Sequence, residues 1–440
     1  LTKFVDGFAK SFKGGRKHMK KANSILMAAI LTASMVGTGA TQIYAASDET
    51  SGGETKEVTF WYYHAESTTE ELEKIIEEYN NMQDEIHITG TWVAREDLMK
   101  QYTIGAVSGE LPDICMVDSP DMSAYIELGI FQDITDKMES WEGYEHLYSG
   151  PLASCTGTDG KIYGMPNNTN CLALACNMDI LREHGYENPP TTWDEFYEIA
   201  KACTDEDTKG FIMSEISSEE GTFQILPWIY ATGGTVENIE SEEVAKGLEF
   251  LKQLVTEGIM TSDVTNLTQA DAYKNFCAGQ AAMLESGTWQ LASIDEDADF
   301  EYQYTLLPKD QTYASVIGGE NYGISTSCEC PDEVWKFLEW FGSAENNGHW
   351  ADVTGRIPVR DDAEQYVTSW EGDKNYEVFT EAMNYAVARG PHPEWTTISE
   401  AIRTATQNIV LGTKDTQDAL KEAADVINPI LEKNPLPKAE

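Results

Sequence analysis

From Val58 to Tyr62 apolar and polar positions alternate with period two, as in a half-buried strand. The period then becomes helical: Leu72, Ile75, Ile76, Tyr79 and Met82 recur every three or four residues. Ser67 and Glu70 stand at capping-box spacing ahead of that run, so the helix is expected to start there. The same grammar repeats. "IHITGTWV" reads as a strand, residues 95–108 as a helix, "DICMVD" as a strand, and Met122 to Leu128 as a helix stopped by Gly129. Strand and helix in alternation predict a mostly parallel sheet covered by helices on both faces.

One stretch breaks the pattern. In "GKIYGMPNNTNCLALACN" a strand-like run is interrupted by Asn167, Asn168, Thr169 and Asn170 and resumes at Leu172. Past it the alternation returns. Thr192 with Glu195 forms a second capping box before Phe196, Ile199, Ala200 and Cys203. A helix carrying Val244, Leu248, Leu251 and Val255 stops at Gly258, and another runs from Thr268 through Phe276 to the strand "AAML". Beyond residue 330 the pattern is mainly helical, through "EVWKFLEWFG", "ISEAIRTATQNIVLG" and "TQDALKEAADVINPIL". At 440 residues the chain is too long for one ordinary core. The expectation is an α/β protein of two lobes with a helical C-terminal section.

The first 45 residues stand apart. Met19, two lysines, a short apolar run and small residues up to Ala45 follow the order of a secretory signal peptide, with Ala46 as the mature start. Residues 1–18 read as upstream translation, 19–45 as the signal peptide and 46–57 as a linker. An uncleaved membrane anchor is the alternative reading. No cysteine precedes Cys115, so this segment offers no site for an N-terminal lipid. Cleavage would remove seven basic residues and one acid, leaving 23 against 74 and a formal net charge of −51. Such a surface repels nucleic acid and anionic membrane and suits an exported protein. The eight cysteines form no CxxC. Five lie in apolar segments as small hydrophobes, and Cys328 and Cys330 flank a loop edge.

Candidate chemistry narrows by exclusion. Neither GxxxxGK[ST] nor GxGxxG follows a strand, no GxSxG elbow occurs, and the seven histidines show no HExxH. His64, at the end of the first strand, suits hydrogen bonding to a ligand or loop better than acid–base work. A pair of carboxylates carries little information where acids are so common, so glycoside hydrolysis stays open. Trp61-Tyr62-Tyr63, Trp228, Trp289, Tyr322 and Trp395 follow strands or open helices. As a set beside amides and carboxylates they point to a sugar site, because C–H faces pack on rings while hydroxyls take paired hydrogen bonds.

Eight stretches in order, among them "VTFWYYHAESTTEELEKIIEEYN", "DGKIYGMPNNTNCLALACNMDIL", "FCAGQAAMLESGTWQL", "IGGENYGIS" and "GRIPVR", make residues 57–430 resemble the extracellular solute-binding proteins of ABC sugar importers, the family of maltose-binding protein. The resemblance implies a type II periplasmic-binding-protein-like fold, with lobe 1 from 58–166 and 318–354 and lobe 2 from 167–317 and 355–440. It implies a monomeric receptor without catalysis, cofactor or metal, passing a carbohydrate, expected to be an oligosaccharide, to an ABC permease. Asn168 and Asn170 would line a hinge strand at the cleft. Tyr63, His64 and Glu66 would come from the first strand's loop, Asp118 and Asp121 from the loop after "DICMV". Phe223 and Trp228 would stack on rings, Trp289 would be the main sugar platform, Glu320 and Asn321 would follow the second crossing, and Arg356 and Trp395 would complete the rim. Two departures stand out: the missing lipobox cysteine, and Glu320 where the family commonly has an aromatic. With Glu66, Asp118 and Asp121, Glu320 implies an acid-lined cleft that would also suit a polyamine or amino sugar.

Overall fold

The computed structural model describes residues 55–64 and 66–437. The leader and the Ser67 side chain of the first capping box lie outside the described residues. Strands β1 (Lys56–Tyr62), β2 (Ile86–Trp92) and β3 (Ile114–Asp118) alternate with helices α1 (Glu66–Met82), α2 (Arg95–Ser108) and α3 (Ser119–Glu127). Strands β4 (Met165–Pro166) and β5 (Leu172–Asn177) bracket the polar interruption. There follow the longer helices α4 (Trp193–Ala202), α5 (Glu219–Tyr230), α6 (Glu242–Thr256) and α7 (Gln269–Cys277), then β6 (Met283–Gly287), β7 (Tyr302–Thr305), β8 (Ser315–Ile317) and β9 (Glu320–Ile324). The C-terminal part is α8 (Pro331–Phe341), α9 (Ala344–Thr354), α10 (Lys374–Ala382), the short strand β10 (Ala386–Ala388), α11 (Trp395–Val410) and α12 (Thr416–Lys433). Among the described residues no helix is long and apolar enough to cross a membrane.

The first sheet runs β2-β1-β3-β9-β4. β1 is parallel to β2 and β3, and β9 is antiparallel to both β3 and β4. Val58, Phe60 and Tyr62 point into a core closed by Leu72, Ile75, Ile76 and Tyr79 of α1, as the two periodicities require. The second sheet, β6-β5-β7, corrects the expectation of mostly parallel pairing, since both partners of β5 are antiparallel to it. The prediction assumed that strands adjacent in sequence pair. Here five α-helices, counting the short one at Met178–Glu183, lie between β5 and β6, so the chain returns in either direction. In α4 the Thr192 side chain accepts from the Glu195 amide as a cap. The Glu195 carboxylate, however, bonds Thr191 rather than closing the box on Thr192.

The polar interruption runs where the two sheets meet. Bridges join Thr169 to Ile357 and Asn170 to Gly318, so three chain segments lie side by side. Thr169 Oγ1 donates to the Gly318 carbonyl at 3.1 Å, and Asn347 Nδ2 donates to the Asn167 carbonyl at 2.6 Å. Gly319 has φ +148°, and a Cβ there would fall 2.2 Å from the Asn168 carbonyl oxygen, so only glycine lets the strands pass this closely. Residues 359–366 stay on the first-sheet side. The Tyr148 amide donates to the Val359 carbonyl, and His146 Nδ1 lies 2.8 Å from Asp361 Oδ1. Trp370, Tyr376 and Phe379 pack with the second sheet.

Candidate functional site

A cavity of about 430 Å³ opens between the two sheets. Its polar wall comes from the ends of β1 and β3 and from the crossing segments: Tyr63, His64, Asp118, Asn170, Glu320 and Arg356. Its apolar wall is Trp289 with Phe223, ring centroids 6.0 Å apart and tilted by 33°. Trp289 is placed by the turn that ends β6. A Cβ on Gly287 would sit 1.9 Å from the indole, so the glycine lets the ring lie flat over the backbone.

Other sequence-chosen residues lie elsewhere. Trp228 is fully buried within α5 and donates its indole N–H to Glu285 Oε2 at 2.8 Å, which makes it core rather than platform. Trp395 opens α11, equally buried, and donates to Glu219 Oε1 at 3.0 Å. Tyr322 packs in the first core, and Asn321 is spent on Ser154 Oγ at 2.9 Å. Asp121 stands behind the wall, bonded to Arg95. Asn168 does not line the cavity; its amide donates to Asn167 Oδ1 at 3.1 Å and its Oδ1 is buried without a partner. The side chain of Glu66, at the start of α1, lies outside the described residues.

Arginines stand among the acids of the cleft. Arg95 Nη2 reaches Asp118 at 2.8 Å and Asp121 at 2.9 Å. Arg389 pairs with Asp118 at 3.2 Å and Glu219 at 2.8 Å, and its guanidinium lies 4.2 Å from the Phe223 ring centroid. Asp118 and Asp121 are therefore already matched by arginines, and Glu320 faces Arg356. Sequence reading passed over Arg95 and Arg389 because each is a lone basic residue in a loop or first helical turn. The one available signal was a scarce cation beside a strand or helix end. A positive charge at the start of α2 opposes the helix dipole, and the aspartates offset that cost. Asp118 occupies the N-cap position of α3 yet makes no capping bond, its oxygens being committed to the two arginines. Gln269, Glu219 and Trp92 also line the cavity unforeseen. Asp118→Ala should lower stability by about 3 kcal/mol, because buried arginines then lose a counter-charge. A urea midpoint unchanged from the parent would refute the structural weight given to this pair.

Six buried polar atoms of the cavity wall have no hydrogen-bond partner: Tyr63 Oη, both ring nitrogens of His64, Asn170 Oδ1, Glu320 Oε2 and Arg356 Nε. Orphaned buried groups are costly and rare, and here they share one wall. Burial, with the Arg356 charge beside it, holds the His64 imidazole well below its ordinary pKa. It stays neutral, with one ring nitrogen a donor and the other an acceptor. Burial likewise raises Glu320, while Arg356 pulls it back, and pushes Asp121 up to about 7 against the pull of Arg95. The site therefore offers mixed donors and acceptors opposite a flat aromatic wall.

Residues 74–378 match the family model described as bacterial extracellular solute-binding protein, and the chain belongs to that family. The sn-glycerol-3-phosphate-binding periplasmic protein UgpB of Escherichia coli K12 is 22% identical over 330 residues, covering 69% of this chain and 74% of its own. An ABC transporter solute-binding protein from Thermotoga lettingae, solved with α-D-tagatose, superposes with a TM-score of 0.80 at 25% identity, covering 86% of this chain and all of the other. Maltose-bound MalE3 of T. maritima gives a TM-score of 0.79 at 21% identity over the same 86%, again with the whole of that chain covered. The two-lobed α/β binding-protein fold expected from the sequence is thus the fold of this chain.

Proposed function

We propose that the protein is an extracytoplasmic receptor that captures a neutral carbohydrate in the cavity and hands it unchanged to an ABC permease. The observation that carries this is the facing of unpartnered donors and acceptors on one wall by Trp289 and Phe223 on the other. A sugar presents both matching surfaces, hydroxyls at its edge and C–H groups on its face. A cavity of about 430 Å³ is at the small end of ligand sites, which favours one or two rings over a long glycan. The tagatose and maltose held by structural relatives are of that size.

Residues 19–45 are a signal peptide in this reading, and the mature chain works outside the cytoplasm as a monomer. The lobes divide at residues 166/167 and 317/318. The contacts of Val359 and Asp361 with Tyr148 and His146 favour a third crossing after Tyr366 over one at Gly355. The lobes close on the ligand about these crossings, the hinge motion for which periplasmic binding proteins are the type case. Thermal unfolding of the protein with neutral mono- and disaccharides, glucosamine and spermidine tests the proposal. A sugar at one hundred times its Kd should add about 2.7 kcal/mol of stability. A response to spermidine alone, or cleavage of a disaccharide during the assay, would overturn the receptor reading.

A further inference from the structure

Glu320 Oε2 and Arg356 Nε are 3.9 Å apart, and neither has a hydrogen-bond partner. That gap is too long for a direct hydrogen bond. The two heads are kept from closing it. Glu320 is fixed at its backbone, where its carbonyl accepts from the Asn167 amide at 2.9 Å and its strand pairs with Asp118 of β3. Arg356 Nη1 donates to Thr68 Oγ1 at 3.2 Å, and its guanidinium lies over Trp350. An oxygen set off the line joining them would come within hydrogen-bond distance of both.

The chemistry of that oxygen is restricted. It must accept from the guanidinium and donate to the carboxylate, and a hydroxyl does both. An ammonium has no lone pair for Arg356 and meets its charge. A phosphate or carboxylate has no proton for Glu320 and meets its charge. We propose that Glu320 and Arg356 together read one ligand hydroxyl and, by their opposite charges, exclude ligands carrying either sign at that point. The inference rests on the carbohydrate reading and extends it to a specificity rule. It separates this chain from its relative UgpB, named for binding a phosphate ester, and from the amino-sugar alternative.

The test is isothermal titration of the wild type, Glu320→Gln and Arg356→Gln. The probes are tagatose, glucose, maltose, cellobiose, mannobiose, glucosamine and sn-glycerol 3-phosphate. The expected wild-type result is binding of at least one neutral sugar, with glucosamine and the phosphate at least tenfold weaker. Each variant should lose about tenfold or more for that sugar. Glu320→Gln should narrow the gap to sn-glycerol 3-phosphate, and Arg356→Gln the gap to glucosamine. Neutral-sugar affinity within twofold of wild type in both variants would overturn the hydroxyl-reading pair while leaving the receptor reading intact. So would a charged probe binding the wild type as tightly as the sugar. Failure of every neutral sugar to bind the wild type would instead overturn the receptor reading and the inference with it. The wild-type comparison does not depend on either variant folding.

Discussion

Trp289→Ala should weaken the bound sugar by roughly 30- to 700-fold, the effect of losing about 2–4 kcal/mol from a central aromatic contact. The ring is held from below by the Gly287 backbone and from the side by Phe223, so it meets the ligand already ordered. Little of its conformational freedom remains to be lost on binding, which is why its truncation costs more than a mobile side chain would. Trp228→Ala is the contrast. That indole is buried in the second core and bonded to Glu285, so its loss should cost about 3–5 kcal/mol of folding stability instead. Calorimetric titration beside urea unfolding separates the two. An unchanged Kd for the Trp289 variant would remove the platform from the site.

Glu215→Gln should stabilise the protein at alkaline pH and leave it nearly unaltered at pH 4. Glu215 is fully buried, both of its carboxylate oxygens lack a partner, and burial pushes its pKa up to about 8. The neighbouring Glu285 is raised further by its own burial and by Glu215. A carboxyl raised on folding binds its proton more tightly in the native state, so its contribution is intact below about pH 4.5. It is lost as the pH rises toward 8. At 1.36 kcal/mol per pH unit the ceiling on that loss is about 5 kcal/mol. The amide keeps the shape without the charge, so the variant's advantage should appear above pH 5 and level off beyond pH 8. Melting curves from pH 4 to 9 that fall in parallel for both proteins would contradict it.

The elements were legible where local pattern decides them. α2 spans residues 95–108 as read, and β3 ends at Asp118, because hydrophobic period and end signals are local. Pairing was not legible. β9 inserts beside β3 from some two hundred residues away, and nothing in "ENYGIS" says that it will run antiparallel. Site chemistry divided along the same line. Tyr63, His64 and Asp118 follow strand ends and reach the cavity, as strand ends in open α/β sheets do. Trp228 and Trp395 were chosen on the same signal as Trp289, but Trp228 falls in the last turn of α5, and a tryptophan beside a turn looks alike in sequence whether it stacks on a ligand or bonds a buried glutamate. Arg389 could not be placed at all, because β10 brings it to the cleft only by pairing with β8. It stands among the acids of the cleft.

The side-by-side segments at Thr169, Gly318 and Ile357 have a mechanical consequence. A flat strap of three tied segments bends readily about one line and resists twist and shear. On the receptor reading, the protein has in effect a single opening coordinate. The thickness of what lies between the lobes then sets one angle, and that angle sets the outer profile met by the permease. A sugar too large for the cavity would hold the jaws ajar, and the transporter would meet a misfit it can refuse without ever touching the sugar.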